Sequence, residues 1–469
     1  GARSGEERRP SPLAIRPAKI LYFRGIPMTE PAAHAERLPR TLGVWSAAFI
    51  LVGITIGSGI FRVPAQIAVT LGSPGAFLLV WVIGGLITLA GALTIAELAA
   101  MYPRSGGILA YIAEAWGPFP AFVYGWAELT VIRASAVGGI SMIFAEYLGH
   151  FIPMSDGTES YVAAITIFVI ALLNWLGVGY ASALMNVTTI LKYGAILGLG
   201  LFAFGAGDGS FGNLTAEPAT AVTTSAILTA LILVMWTYDG WSNLAQIGGE
   251  VKNPGRNMPR ALILGSTAIV AIYLFINAAY LYLVPVTEMA GVPLVAAEAA
   301  KRIPVFGAAG AAIISGIVML SCFGATNGSM MAGPRVFFGM ADRGLFFPAL
   351  ARVSPRFKTP SVAIWVAAGL GIAFVLQNSF AELAGRFVLG TWPFYVLAVL
   401  GVFLLRKRRP DAERPYRVWA YPFTPIVFLV ASFAMIANAI ITEPRDTLVT
   451  FAIIGAGIPV YFIWRAMQK

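Results

Sequence analysis

Apolar runs of about twenty residues recur along this chain from Val44 to Trp464, and each can cross a hydrocarbon core of roughly 30 Å at about 1.5 Å per helical residue. A bilayer offers its interior no water, so every such run has to satisfy its own backbone amides and carbonyls, as a helix does. The runs fall at 44–70, 75–101, 118–149, 161–181, 184–206, 223–248, 260–284, 306–332, 360–378, 387–405, 421–441 and 447–466. They predict an all-α membrane protein of about twelve transmembrane helices. With 58% of its 469 residues hydrophobic and only 12% charged, the chain keeps no stretch long enough for a separate soluble catalytic domain. Function is therefore expected among the helices.

The net charge of +10 is read as topology, and no nucleic acid partner is expected. With the N-terminus inside, 25 of the 32 lysines and arginines fall on the same side, as the positive-inside bias requires. Both termini are predicted cytoplasmic, with Arg62, Lys301, Arg302, Arg386 and Arg445 outside and Arg133 and Lys192 within spans. Residues 1–40 are polar, rich in Arg and Pro and without an apolar signal-peptide core, and read as a disordered cytoplasmic tail. Met28 opens a start-like segment, so 1–27 read as a vector remnant or an upstream extension. The one cysteine, Cys322, lies in an apolar run, and His34 and His150 flank helices. Neither a metal site nor a cofactor is expected.

Glycine interrupts two of the runs. Gly57-Ser58-Gly59-Ile60-Phe61 breaks the first, and Tyr238-Asp239-Gly240-Trp241 breaks the sixth. Matched breaks at the start of each of two five-helix halves are the pointer to an inverted-repeat transporter with its site near the bilayer midplane. The expected division is a first repeat at 41–206, a second at 207–405, and a cytoplasmic loop with two peripheral helices at 406–469.

An unwound helix leaves amides and carbonyls without intrahelical partners, and a zwitterion satisfies both kinds at once. Amides around Ser58, Gly59 and Ile60, at a positive helix end, suit a carboxylate. Carbonyls around Trp236, Thr237 and Tyr238 suit an ammonium, and glycine lets a ligand approach the backbone. Thr55, Gly57 and Ser242 border the breaks and join the candidate substrate-binding set.

Intramembrane charges are costly and mark candidate sites. Lys192 has no acidic neighbour one helical turn away and reads as a fixed cation in place of sodium, as a titrating group, or as a tether to carbonyls of the broken first helix. Asp239 could pair with a cationic amine, take up a proton, or cap freed amides. Glu128 and Arg133 are five apart, do not share a helical face, and are expected to pair with neighbouring helices. The segment 249–260, mixed in charge and holding Pro and Gly, reads as a solvated turn or a gating loop. Phe61 follows the first break, and Trp392 precedes Pro393 where a ring could cover a midplane site.

The motifs GSGIF at 57–61, AELAAMYPRSGG at 96–107, NWLGV at 174–178, YDGW at 238–241, GGEVKNPGRNMPRA at 248–261, SCFGATNGS at 321–329 and RKRRPDAERPYRV at 406–418 together resemble the amino acid, polyamine and organocation transporter superfamily. The resemblance is to its L-type amino acid transporter branch and runs from about Leu42 to Trp464. It implies two inverted five-helix repeats plus two peripheral helices, and sodium-independent transport, often by obligatory exchange. It implies that Lys192 occupies the place of a sodium ion, with Ser321 as its eighth-helix partner. It further implies that Trp236 closes over the substrate and that Trp392 stands near it, and Phe61, by its place after the first break, is the second gating candidate. Branch members with a disulfide-linked heavy chain carry a cysteine between the third and fourth helices. The 150–160 loop has none, so a bacterial-type transporter without that partner is expected. Aspartate at 239 leans toward cationic or broad substrates.

The expected function is exchange of neutral and cationic amino acids across the cell membrane. Proton symport is the alternative, and a membrane-embedded sensor without net flux a second one of another class. An intramembrane enzyme is disfavoured, because no histidine lies in a span and no paired acidic motif recurs at helical spacing.

Overall fold

A computed structural model describes residues 40–103, 106–155, 157–217, 221–342 and 346–467, with the side chains of 178–189, 339 and 342 outside the description. The tail expected at 1–40, with its possible extension at 1–27, lies outside it except for Arg40. The described chain is helical, with one isolated parallel bridge between Leu42 and Val251. Among the described residues, eight helices are long and apolar enough to cross a membrane: Pro74–Met101, Pro118–Leu148, Thr158–Leu176, Pro254–Leu283, Pro304–Phe338, Phe380–Arg408, Phe423–Thr442 and Pro444–Met467. Val44–Thr55, Gly107–Trp116, Ile190–Ala206 and Ser361–Val375 are shorter apolar helices.

Helix ends follow local chemistry. Ser73 precedes Pro74 and its hydroxyl accepts from the Ala76 amide, while Pro at the first helical position gives up an amide that would be orphaned anyway. Ser379 and Glu382 form a reciprocal capping box at the head of Phe380–Arg408, satisfying two orphan amides. Gly177 sits at φ +148 and divides the fourth and fifth runs into Thr158–Leu176 and Val178–Ala206, several residues before the boundary that hydropathy alone suggests. The eighth run continues to Asp342, past Pro334.

Buried polar ties fix the helices to one another. Glu97, 1% exposed, accepts two hydrogen bonds from the Arg406 guanidinium and one, at 2.8 Å, from the Val418 amide, and Arg414 lies 3.5 Å away. The basic motif at 406–418 therefore folds back onto the end of Pro74–Met101. Next to it, Arg408 and Arg409 reach the Ala115 carbonyl and Glu114 at the end of Gly107–Trp116. That helix was not expected from hydropathy.

Helix Pro118–Leu148 carries a π-turn at Glu128–Ile132. This corrects the expectation for Glu128 and Arg133. A π-turn closes i to i+5, which brings residues five apart onto one face, and the two form an ion pair. Arg133 also donates at 2.8 Å to Ser329 on Gly310–Asp342, so a neighbouring helix supplies the second partner and not the first.

Candidate functional site

The first apolar run is an α-helix only over Val44–Thr55. Ile56 turns extended, Gly59–Phe61 forms a 3-10 turn, and Val63–Leu71 resumes the α-helix. The amides of Ser58, Gly59 and Ile60 have no backbone partner among the described residues. The sixth run stops at Tyr238: Asp239 is extended, Gly240 takes φ +115, and a 3-10 helix covers Trp241–Glu250. Only glycine adopts that φ without strain.

The two breaks touch. A Cβ on Gly59 would come within 2.8 Å of Thr237 Oγ1, and one on Gly240 within 2.8 Å of Thr55 Cα. Each break thus seats its glycine on the threonine at the end of the other break's helix. Tyr273, fully buried on Pro254–Leu283, places its hydroxyl 3.0 Å from both the Thr55 and the Thr237 carbonyls. Hydropathy and spacing gave no sign of Tyr273, since one tyrosine in an apolar run looks like filler.

Beside the second break a directed chain of hydroxyls reaches Asp239. Tyr395, two residues after Pro393, donates to Asp239 Oδ1 at 2.7 Å. Ser242 Oγ lies 2.8 Å from the same phenol, and because the phenol proton is committed to the carboxylate, Ser242 is the donor. Asp239 and Ser242 are therefore coupled through a helix that neither belongs to.

Lys192 bonds the Gly53 carbonyl at 2.9 Å, one of the first-helix carbonyls considered for a tether. The Ser321 hydroxyl is buried and has no hydrogen-bond partner among the described residues, so the lysine is turned to the first helix and not to Ser321. Cys322 packs at the first break, against Ser58.

The aromatic candidates separate. The Trp236 ring lies edge-on to Phe387 at 4.9 Å and to Phe380 at 6.0 Å, buried against Gly139. The Phe61 carbonyl accepts from the Tyr147 hydroxyl at 2.8 Å. Trp392 stacks on Phe428 at 5.1 Å and makes an edge contact with Tyr395, the partner of Asp239. Tyr238 points its hydroxyl away, to the Trp81 carbonyl, and Ile60 is fully buried. Around the breaks only Gly57 and Asp239 keep intermediate exposure. Among the described residues no cluster of His, Cys, Asp or Glu could hold a metal ion.

The segment after the second break pairs with the start of the first helix: the Leu42 amide donates to the Glu250 carbonyl at 3.0 Å, and the Lys252 amide to the Leu42 carbonyl at 2.9 Å. The expected loop at 249–260 is therefore shorter than its Pro, Gly and charge content suggests: the 3-10 helix runs to Glu250 and an α-helix starts at Pro254, where proline is tolerated in the first turn. Only 251–253 link them, tied by backbone bonds to Leu42.

Residues 42–464 match the family model described as amino acid permease. The chain is 32% identical over 427 residues to the serine/threonine exchanger SteT of Bacillus subtilis (strain 168), covering 91% of this chain and 97% of that protein. It is 30% identical to the b(0,+)-type amino acid transporter 1 of Mus musculus, over 93% of this chain and 91% of the relative. Identity to the Homo sapiens cystine/glutamate transporter is also 30%, over 94% and 88%. The names of these relatives are those of transporters, and the long apolar helices make this a multi-pass membrane protein. With the match running almost end to end, the chain belongs to the amino acid permease family.

Proposed function

We propose that this protein is a sodium-independent exchanger of amino acids that works by alternating access. The observation that carries the reading is the abutment of the two breaks, with free amides on one side and helix-end carbonyls on the other, in a chain of the amino acid permease family. That arrangement suits a zwitterion: the carboxylate at Ser58, Gly59 and Ile60, the ammonium at the carbonyls of Trp236, Thr237 and Tyr238, with Thr55, Gly57 and Ser242 bordering it. Asp239, partly exposed beside the site, favours cationic as well as neutral side chains. Lys192 supplies a fixed positive charge next to the first break where a bound cation would otherwise be needed. Phe61 and Trp236 gate the substrate, and Trp392 backs the site through Tyr395.

In this reading the broken first run (Val44–Thr55 with Val63–Leu71), Val178–Ala206, the broken sixth run (Thr224–Tyr238 with Trp241–Glu250) and Ser361–Val375 join the eight long helices to make twelve spans, arranged as inverted repeats at 41–206 and 207–405 with peripheral helices after 406. The protein resides in the cell membrane with both termini cytoplasmic. It needs no disulfide-linked heavy chain, because its sole cysteine is buried in a helix.

The test is uptake of labelled serine, leucine, alanine and arginine into proteoliposomes with and without internal amino acid. Uptake only against internal substrate supports exchange. Uptake into empty vesicles driven by an imposed proton gradient replaces it with symport, and binding without flux under either condition replaces it with a sensor.

A further inference from the structure

Two consecutive residues of the first-helix stub are gripped by two consecutive residues near the end of Pro118–Leu148. Tyr147 donates to the Phe61 carbonyl at 2.8 Å, and Arg62 Nε donates to Glu146 at 2.6 Å. The donors run in opposite directions, so the contact is a two-point clasp and resists both sliding and rotation. It is buried: Phe61 is 1%, Tyr147 0% and Arg62 8% exposed. The Arg62 guanidinium also lies 5.6 Å from the centroid of the Phe380 ring, a cation-π distance. Phe380 in turn meets the Trp236 ring edge-on at 6.0 Å. A continuous line of contacts therefore runs from Glu146 through Arg62 and Phe380 to the tryptophan beside the second break.

From this geometry we infer that Arg62 is a positioning residue for substrate passage: its pairing with Glu146 holds Phe380 against Trp236 and closes the site on the Arg62 side. The inference rests on the transport reading, and adds residues outside the substrate set. The stub continues directly from the free amides of Ser58, Gly59 and Ile60, so opening the site on this side has to separate Phe61 and Arg62 from Tyr147 and Glu146. A buried arginine stripped of its carboxylate is strongly disfavoured, which makes the closed arrangement cooperative. The pair and the tyrosine bond form or break together.

The sole cysteine, Cys322, fully buried and packed at the first break, gives a readout that does not depend on transport. Its alkylation by a water-soluble maleimide is measured in the reconstituted full-length protein for the parent, Arg62→Gln, Glu146→Gln, the charge swap Arg62→Glu with Glu146→Arg, and Phe380→Leu. The expected result is labelling about fivefold or more faster in each neutralised variant, the scale of a coupling near 1 kcal/mol, with recovery toward the parental rate in the swap. In the same vesicles the apparent KM for exchange shifts on one membrane face and stays on the other. Unchanged labelling in Arg62→Gln and Glu146→Gln overturns the proposal, as does a swap that labels as fast as the single variants. If Arg62→Gln fails to fold, Phe380→Leu decides. It leaves the ion pair intact and removes the ring, so parental labelling and an unchanged KM on both faces overturn the link to Trp236. Absence of exchange by the parent protein fails the transport reading instead, and leaves the labelling result to judge the clasp.

Discussion

Tyr273 has one proton and two carbonyls to share it with. Each acceptor belongs to a different broken helix, and each lost its intrahelical partner when the helix unwound. Tyr273→Phe leaves both without that donor in a buried setting, at a cost of about 1–3 kcal/mol per unsatisfied group. Exchange by Tyr273→Phe in proteoliposomes should therefore fall about tenfold or more, while a nearby Tyr280→Phe, whose buried hydroxyl has no hydrogen-bond partner among the described residues, should keep parental exchange and stability. Glu97 poses the opposite case, one carboxylate serving two donor groups. Glu97→Gln leaves Arg406, whose side chain is 22% exposed, without its carboxylate, which should cost less than breaking a fully buried pair, about 3–5 kcal/mol. Its thermal midpoint in detergent should drop by several degrees, with Arg406→Gln dropping comparably.

At the scale of elements, the two breaks were legible because glycine leaves a mark in sequence. Gly59 and Gly240 stand where a side chain would collide with the opposing helix, and at Gly240 the positive φ adds strain for any other residue. The π-turn was not legible. Reading Glu128 and Arg133 at 3.6 residues per turn put them on different faces, and the turn that aligns them leaves no residue signature. A double-mutant cycle of Glu128→Gln and Arg133→Gln in thermal unfolding should return a coupling of about 1–3 kcal/mol. Deleting Thr130 should close the π-turn to an α-turn and leave Glu128 and Arg133 four apart, still on one face, so the ion pair and the thermal midpoint should survive the deletion. The long apolar helices were legible from hydropathy, yet their ends were not: the run expected at 387–405 spans Phe380–Arg408, and ends set by Gly177 or carried past Pro334 follow packing and backbone conformation.

Across the whole molecule, the ties that matter join residues far apart in the chain: Lys192 with Gly53, Tyr395 with Asp239, Arg406 with Glu97. Sequence alone supplied Lys192 and Asp239, since a charge in an apolar run has to find a partner, but could not say which partner, and it gave no sign of the Glu97–Arg406 pair. It pointed Lys192 at the first helix among other readings, and left unseen the phenol that links Asp239 to Ser242. With Lys192 as the fixed cation, replacing external sodium by choline should leave exchange unchanged, whereas Lys192→Ala should lose it. Sodium-dependent uptake by the parent protein would refute that assignment.

The mutual seating of the two breaks has a genetic consequence. Adding a methyl at Gly59 collides first with the side chain of Thr237, its backbone lying at a tolerable 3.2 Å, whereas one at Gly240 collides with the backbone of Thr55 and is strained by φ +115 besides. Under selection for growth on an imported amino acid, Gly59→Ala should yield intragenic suppressors, Thr237→Ala foremost. Gly240→Ala should yield only true revertants. Lineages can therefore drift at positions 59 and 237 as a pair, while position 240 stays frozen.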